Sequence, residues 1–305
     1  MKVYTDLHNR TKMYNIPLWG IEELKKIGLE VVTEYSEDIE IFWGDLLTKK
    51  DVLNLPKLKW IHFSCVGINR ALIPEVTNRE FILTNSSDIF TDAVSSMVMS
   101  YIFYFSRGLN FIDRLRTNKN LNRESFDNYI DCLKEMRETK CLILGVGNVG
   151  SKLKSMLEAL DIGVIGIKRN NYDDLLKNIG QADFVVNLLP LTDKTKYMFD
   201  YQMFRKMKND AYFINAGRGK TVVQKDLIKA LRNKIILGCA LDVFDTEPLP
   251  KNSDLWNLDN VLITPHIANV SKNYWKNQIE LFISNVTKYK VGKPLHNTVD
   301  LKKYK

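Results

Sequence analysis

Residues 141–153 read CLILGVGNVGSKL. An apolar run ends at Gly145, and glycines recur at Gly147 and Gly150 just before the helix-forming stretch SKLKSMLEAL at 151–160. G-x-G-x-x-G alone is a weak signal; behind a strand and ahead of a helix it stands where a dinucleotide-binding turn requires it. Gly145 permits the tight turn, Gly147 lets backbone N–H groups approach a pyrophosphate, and Gly150 allows close packing of helix on strand. The helix N-terminus then offers unpaired N–H groups and partial positive charge to the phosphates.

Downstream, the apolar segments GVIGIK (163–168), DFVVNLL (183–189), YFINAG (212–217), IILGCALDVF (235–244) and VLITPH (261–266) alternate with helical stretches. That alternation predicts a doubly wound parallel sheet of the Rossmann type. Upstream, KVYTDL (2–7), LEVVTEY (29–35), EIFWG (40–44), KWIHFS (59–64) and EFILTN (80–85) are expected strands of a smaller α/β unit. IPLWGIEELKKIG (16–28) is an expected helix that stops at Gly28. DAVSSMVMSYIFYFSR (92–107) lacks Gly and Pro and is expected to be a long, largely buried helix between the units. Residues 109–139 are polar, and two readings stand open for them, a solvated linker or a dimerisation element. KNYWKNQIELFISNVTKYK (272–290) is expected to return as a helix to the first unit. The expected division is 1–94 with 285–305 for a substrate domain and 95–284 for a dinucleotide domain.

At the end of the second strand a carboxylate would accept from the ribose 2′-OH of NAD. The chain reads Gly166-Ile167-Lys168-Arg169-Asn170 there. Arg169 has the fork to clamp a 2′-phosphate bidentately, and Lys168 adds a point charge. The expectation is NADP(H) preferred, with NAD(H) possible; the plainer alternative is two solvent-facing cations in a lysine-rich chain.

Three chemistry-bearing residues follow expected strands. Arg218 follows FINAG, Glu247 follows ALDVFDT, and His266 follows VLITP. Ligands bind outside the carboxyl ends of strands in such sheets, so residues distant in sequence are expected on one rim.

With LILGVGNVG, NLLPLTDKT (187–195), FINAGRG (213–219), ALDVFDTEPLP (240–250), LWNLDNVLITPHIA (255–268) and GKPLHNTVD (292–300) in that order, the chain resembles the D-isomer-specific 2-hydroxyacid dehydrogenases, of the glyoxylate/hydroxypyruvate reductase kind. LKWIHFSCVGINR (58–70) resembles that family's substrate loop. The resemblance implies a Rossmann cofactor domain beside a smaller flavodoxin-like α/β substrate domain, and transfer of a hydride between NADP(H) and a small 2-keto or 2-hydroxy acid. His266 would give a proton to the keto oxygen, Glu247 would hold the ring and favour its charged form, and Arg218 would bind the substrate carboxylate and polarise the carbonyl. Arg218 and His266 would thereby touch both substrate and cofactor. Asn148 and Val149 would line the pyrophosphate turn; Leu189, Pro190 and Thr195 would lie beneath the nicotinamide ribose; Ala216 and Asp242 would lie near the nicotinamide. Asp242 has a second reading, as a helix cap or core polar group. Val66 and Gly67 match the loop whose N–H groups hold the substrate carboxylate. A homodimer is implied by the resemblance alone.

Two departures bear on the substrate. Asn69 stands where the family commonly has an acid, and Ser95-Ser96 where it commonly has Ala-Glu. Two rival readings are a formate- or phosphite-type dehydrogenase, disfavoured by the basic pair and the modest length, and a cofactor-sensing binding protein of the corepressor-like branch. The close at NTVD is expected to leave no room for an added regulatory domain.

Composition bounds the rest. With 305 residues the chain has length for about two domains. No run approaches the ~20 apolar residues of a membrane span, and MKVYTDLHNR has no secretory core. A cytoplasmic location and no membrane partner are therefore expected. The net charge of +8 is spread along the chain and accompanies no nucleic-acid-binding motif, so no nucleic-acid partner is expected. Cys65, Cys132, Cys141 and Cys239 form no CxxC and match no zinc framework, so no metal site is expected.

Overall fold

The computed structural model describes residues 1–9, 11–168, 171 and 173–301. The chain divides into two compact units, Met1–Phe90 with Ser271–Lys305, and Thr91–Val270.

The first unit holds strands β1 (Lys2–Thr5), β2 (Glu30–Val32), β3 (Ile39–Gly44), β4 (Trp60–Phe63) and β5 (Ile82–Thr84), with helices α1 (Leu18–Lys26), α2 (Lys49–Asn54) and α3 (Pro74–Thr77) between them. All strands are parallel, in the order β2-β1-β3-β4-β5, which is the flavodoxin-like order. β4 is buried throughout, as a central parallel strand covered on both faces must be. α1 ends as its sequence predicts: Gly28 takes φ +77° and Leu29 N–H returns to Leu24 O at 3.1 Å.

The second unit opens with α4 (Thr91–Ser106) and α5 (Leu109–Thr117). It continues through β6 (Lys140–Leu144), α6 (Asn148–Glu158), β7 (Gly163–Ile167), α7 (Asp173–Asn178), β8 (Phe184–Asn187), α8 (Tyr201–Phe204), β9 (Tyr212–Asn215), α9 (Gln224–Arg232), β10 (Gly238–Leu241) and β11 (Val261–Ile263). Its six strands run β11-β10-β9-β8-β6-β7, all parallel. β7 flanks β6 on one side, and β8 and its successors lie on the other. The direction of winding therefore reverses between β6 and β8, and the crevice outside their carboxyl ends is where such sheets bind ligands. One apolar cluster covers one face around Leu142, Val185 and Phe213. A second covers the other around Ile143, Val186 and Ile214, with Val98, Ile102 and Phe105 of α4.

One boundary differs from expectation, and one open reading narrows. The return to the first unit begins earlier than residue 285, with the whole of α10 (Tyr274–Lys290). Its apolar face explains this, because Ile279, Phe282 and Val286 pack among Val3, Leu24, Trp43 and Trp60. Phe282 stacks on Trp43 with ring centroids 4.2 Å apart, and burying such side chains is worth about 1.5–3 kcal/mol each. Residues 109–139 are also not a bare linker. Asn110, Leu115 and Tyr129 are buried, and the Tyr129 hydroxyl lies 3.1 Å from that of Tyr212 in β9. Among the described residues, no helix is long and apolar enough to cross a membrane.

Candidate active site

The glycine turn follows β6 directly. Gly145 has φ +98°, and a Cβ there would lie 3.0 Å from Leu188 O. A Cβ on Gly150 would lie 2.2 Å from Gly145 O, so only glycine lets α6 start this close to the strand. At Gly147 a Cβ would meet nothing within 4 Å. The two outer glycines thus serve the protein's own packing, and the middle one borders open space, as a group approached by a ligand must. Asn148, Val149 and Gly150 form the first turn of α6, which contains no acidic residue to oppose a phosphate. The turn fits a dinucleotide. Lys168 follows the last residue of β7 and is exposed; Arg169 lies outside the described residues.

Two buried asparagines shape the next rim loops. Asn187 and Asn215 end β8 and β9 in the same register. Asn187 Nδ2 donates to Asn215 Oδ1 (3.0 Å) and to Thr221 Oγ1 (2.7 Å). Asn187 Oδ1 accepts from Leu189 N–H (3.2 Å), and Asn215 Oδ1 from Gly217 N–H (3.2 Å). These bonds set Leu189–Pro190 and Ala216–Arg218 against each other. Thr195, 1% exposed, donates its hydroxyl to Pro190 O at 2.6 Å and so closes its own loop.

Arg218 is half-buried, with Nη1 donating to Gly217 O at 2.7 Å. The next residue, Gly219, is seated so tightly that a Cβ would lie 1.8 Å from Phe244 O. That close approach brings the Arg218 turn against the segment leading to Glu247.

His266 Nδ1 lies 2.7 Å from Glu247 Oε2, and Glu247 Oε1 accepts from Phe244 N–H at 3.0 Å. Burial acts to raise the Glu247 pKa. The hydrogen bonds from His266 and Phe244 N–H, with the charges of His266 and Arg218, outweigh it and hold the carboxyl below its ordinary range. With Nδ1 occupied, Nε2 is the ring atom left for an incoming group. The side chain of His266 is 48% exposed and that of Glu247 35%, so the pair opens outward. The three expected catalytic residues therefore lie on loops after adjacent strands, linked through Glu247.

Asp242 is 1% exposed, and its oxygens are engaged within the protein. Oδ1 accepts from Thr264 Oγ1 (2.7 Å) and Ile267 N–H (2.9 Å), and Oδ2 from Ala268 N–H (3.0 Å). In this arrangement it acts as a core polar group that shapes the turn carrying His266.

In the first unit, Val66 is 41% exposed, on a loop pinned by its carbonyls. Asn85 Nδ2 donates to Val66 O at 3.0 Å, and Ser86 N–H to Cys65 O at 3.2 Å. Gln278 of α10 donates to Ser64 O, and Ser86 Oγ donates to Phe63 O at 2.9 Å. The loop with Val66 and Gly67 is thus fixed by side chains behind it. The side chain of Asn69 lies outside the described residues. Among the described residues, no group of His, Cys, Asp and Glu forms a metal site.

Sequence reasoning missed Asn187, Asn215, Thr221 and Gly219. A signal existed, since both VVN and FIN are apolar strands closed by the same polar residue. Equal register, however, is visible only once the strands pair.

The family model described as "D-isomer specific 2-hydroxyacid dehydrogenase, NAD binding domain" matches residues 99–268. The chain is 30% identical over 243 residues to a glyoxylate reductase of Thermofilum pendens, spanning 76% of this chain and 71% of that protein. It is 32% identical over 276 residues to a probable 2-ketogluconate reductase of Dictyostelium discoideum, spanning 81% and 82%. An NADPH-dependent glyoxylate/hydroxypyruvate reductase from Sinorhizobium meliloti, solved with NADP and sulfate, shares the fold with TM-score 0.83 at 24% identity over 98% of each chain.

Proposed function

Since the chain belongs to the D-isomer specific 2-hydroxyacid dehydrogenase family, and is an oxidoreductase of that kind, we propose that it reduces a small 2-keto acid, such as glyoxylate, hydroxypyruvate or a longer analogue, with NADP(H) as the preferred cofactor. The observation that carries this reading is the 2.7 Å pair of His266 Nδ1 and Glu247 Oε2, which leaves Nε2 free to face a substrate.

When bound, the nicotinamide supplies the hydride. Gly145, Gly147, Asn148, Val149 and Gly150 would hold the pyrophosphate, with Leu189, Pro190, Thr195 and Ala216 around the nicotinamide end and Asp242 shaping the His266 turn from within the protein. His266 Nε2 gives the proton to the keto oxygen as the alcohol forms. Glu247 orients the ring and balances the charge of its protonated form. Arg218 binds the substrate carboxylate and draws electron density from the carbonyl. The family resemblance implies that the N–H groups of Val66 and Gly67 also hold a substrate carboxylate, and the lack of a side chain on Gly67 suits a close backbone approach.

The cofactor preference rests on Lys168 and Arg169 and on the lack of a carboxylate from Gly166 to Asn170. The Sinorhizobium structure, solved with NADP, agrees with it. Loss of NADPH or NADH absorbance with a panel of 2-keto acids tests both parts. A lower KM for NADPH than for NADH is expected. A clear NADH preference removes the cofactor assignment, and no turnover with any acid favours a cofactor-sensing binding protein. We further propose a homodimer, to be checked by light scattering.

A further inference from the structure

Asp242 stands at one end of a chain of hydroxyls whose other end, on α4, is distant from it in sequence. Tyr101, in the middle of α4 and 2% exposed, has its hydroxyl 2.6 Å from Thr264 Oγ1. Thr264 has one hydroxyl proton, and it goes to Asp242 Oδ1 at 2.7 Å. The proton between Tyr101 and Thr264 therefore belongs to Tyr101, and the relay runs in one direction, Tyr101 to Thr264 to the Asp242 carboxylate. Burial raises the Tyr101 hydroxyl well above its ordinary pKa, so it stays a donor.

Asp242 in turn carries the turn that bears His266. Its carboxylate takes the N–H groups of Ile267 and Ala268, and its carbonyl takes that of His266 at 2.9 Å. His266 has φ +54°, in the left-handed region, which a non-glycine residue occupies at a cost and keeps only where its surroundings hold it. The same helix is fixed at its other end to the glycine turn, because Ser95 Oγ donates to Val149 O at 3.2 Å.

We infer that Tyr101 is a positioning residue for the proton-transfer step, fixing the His266 turn through Thr264 and Asp242 without touching any reacting group. The inference rests on His266 being the proton donor. A tyrosine hydroxyl is not required for packing at this point, since the ring already lies in the apolar cluster of α4; its hydroxyl is accounted for by the relay.

The test uses the full chain with NADPH and the 2-keto acid it turns over fastest. Tyr101→Phe keeps the ring and removes one neutral hydrogen bond. It is expected to lower kcat about three- to tenfold, with KM for NADPH within about twofold of wild type. Thr264→Val should cost at least as much, Thr264→Ser should restore most of the rate, and Tyr101→Phe combined with Thr264→Val should be no slower than Thr264→Val alone, because both break one relay. Wild-type kcat in Tyr101→Phe, losses that multiply in the double variant, or an effect on KM alone would overturn the inference. His266→Ala in the same assay separates the two levels. If it retains turnover, the proton-donor reading fails; if it is inactive while Tyr101→Phe is normal, only the relay fails. Amide hydrogen exchange at Ile267 and Ala268 gives a readout without turnover. Faster exchange in Tyr101→Phe supports the relay, and unchanged protection overturns it.

Discussion

Asn187 and Asn215 stand side by side at the ends of β8 and β9, the amide of one donating to the carbonyl of the other at 3.0 Å, with neither more than 1% exposed. Between them they hold two rim loops through Leu189 N–H, Gly217 N–H and Thr221 Oγ1. Asn187→Ala takes from Leu189 N–H its acceptor and from Asn215 Oδ1 and Thr221 Oγ1 one donor each, and a buried group left unsatisfied costs about 1–3 kcal/mol. We expect lower stability in urea together with a raised KM for cofactor. Unchanged values of both would show that the pair does not set these loops.

His266→Ala removes the proton donor. A loss in kcat on the order of a hundred- to ten-thousandfold is expected, with cofactor affinity, read by fluorescence titration, unchanged within about twofold. Glu247→Gln keeps the contact and removes the charge, so its loss should be smaller. Because the Glu247 carboxyl is held below its ordinary range, it should stay ionised through the neutral range and lose its charge only in acid. Near-wild-type turnover in His266→Ala would remove His266 from the mechanism.

Lys168 is exposed just past β7, and the proposed cofactor preference assigns it to the ribose 2′-phosphate. Lys168→Glu replaces attraction by repulsion toward the phosphate and offers an acceptor to a 2′-OH. KM for NADPH is expected to rise on the order of ten- to a hundredfold, as loss of a charge-assisted bond implies, with NADH much less affected. Equal changes for both cofactors would show that Lys168 does not read the 2′ position.

His62 in β4 is fully buried, and Nδ1 lies 2.6 Å from Thr84 Oγ1, which also accepts from Trp60 Nε1 at 2.8 Å. No cation could be solvated there, so the buried ring is held in its neutral form. Burial pushes the pKa down to about 3 from 6.5. Above about pH 6.5 the ring is neutral in folded and unfolded chains alike. Below it, the unfolded chain takes up a proton that the folded chain refuses until the pH nears 3. Stability should therefore fall as the pH drops through this window, by at most about 1.4 kcal/mol per pH unit. Urea unfolding followed by tryptophan emission measures the slope. His62→Gln should flatten it, and an equal slope in that variant would assign the acid sensitivity to other groups.

Legibility followed locality. Every strand was visible as a mainly apolar run, because the central parallel strands are covered on both faces and admit few polar residues, such as Glu40 in β3 and His62 in β4. The glycine turn was visible because its demands fall within a few residues. The positions of Arg218, Glu247 and His266 were visible from their neighbours along the chain. What stayed hidden depends on partners distant in sequence. Asn187 acquires its role only against Asn215, and Tyr101 only against Thr264, 163 residues away. The full membership of α10 in the first unit was missed for the same reason, since its partners are Trp43 and Trp60.

That membership has a consequence for how the protein is made. On the ribosome, the first ninety residues emerge long before the helix that covers Trp43 and Trp60, with Thr91–Val270 translated in between. At about 5–20 residues per second the wait is on the order of ten to forty seconds. During that interval the dinucleotide-binding unit is being made, while the unit begun first still lacks the helix that covers Trp43 and Trp60. The nascent chain is thus expected to be most vulnerable to aggregation and chaperone capture in the unit begun first, and to lose that vulnerability only as Tyr274–Lys290 leaves the exit tunnel.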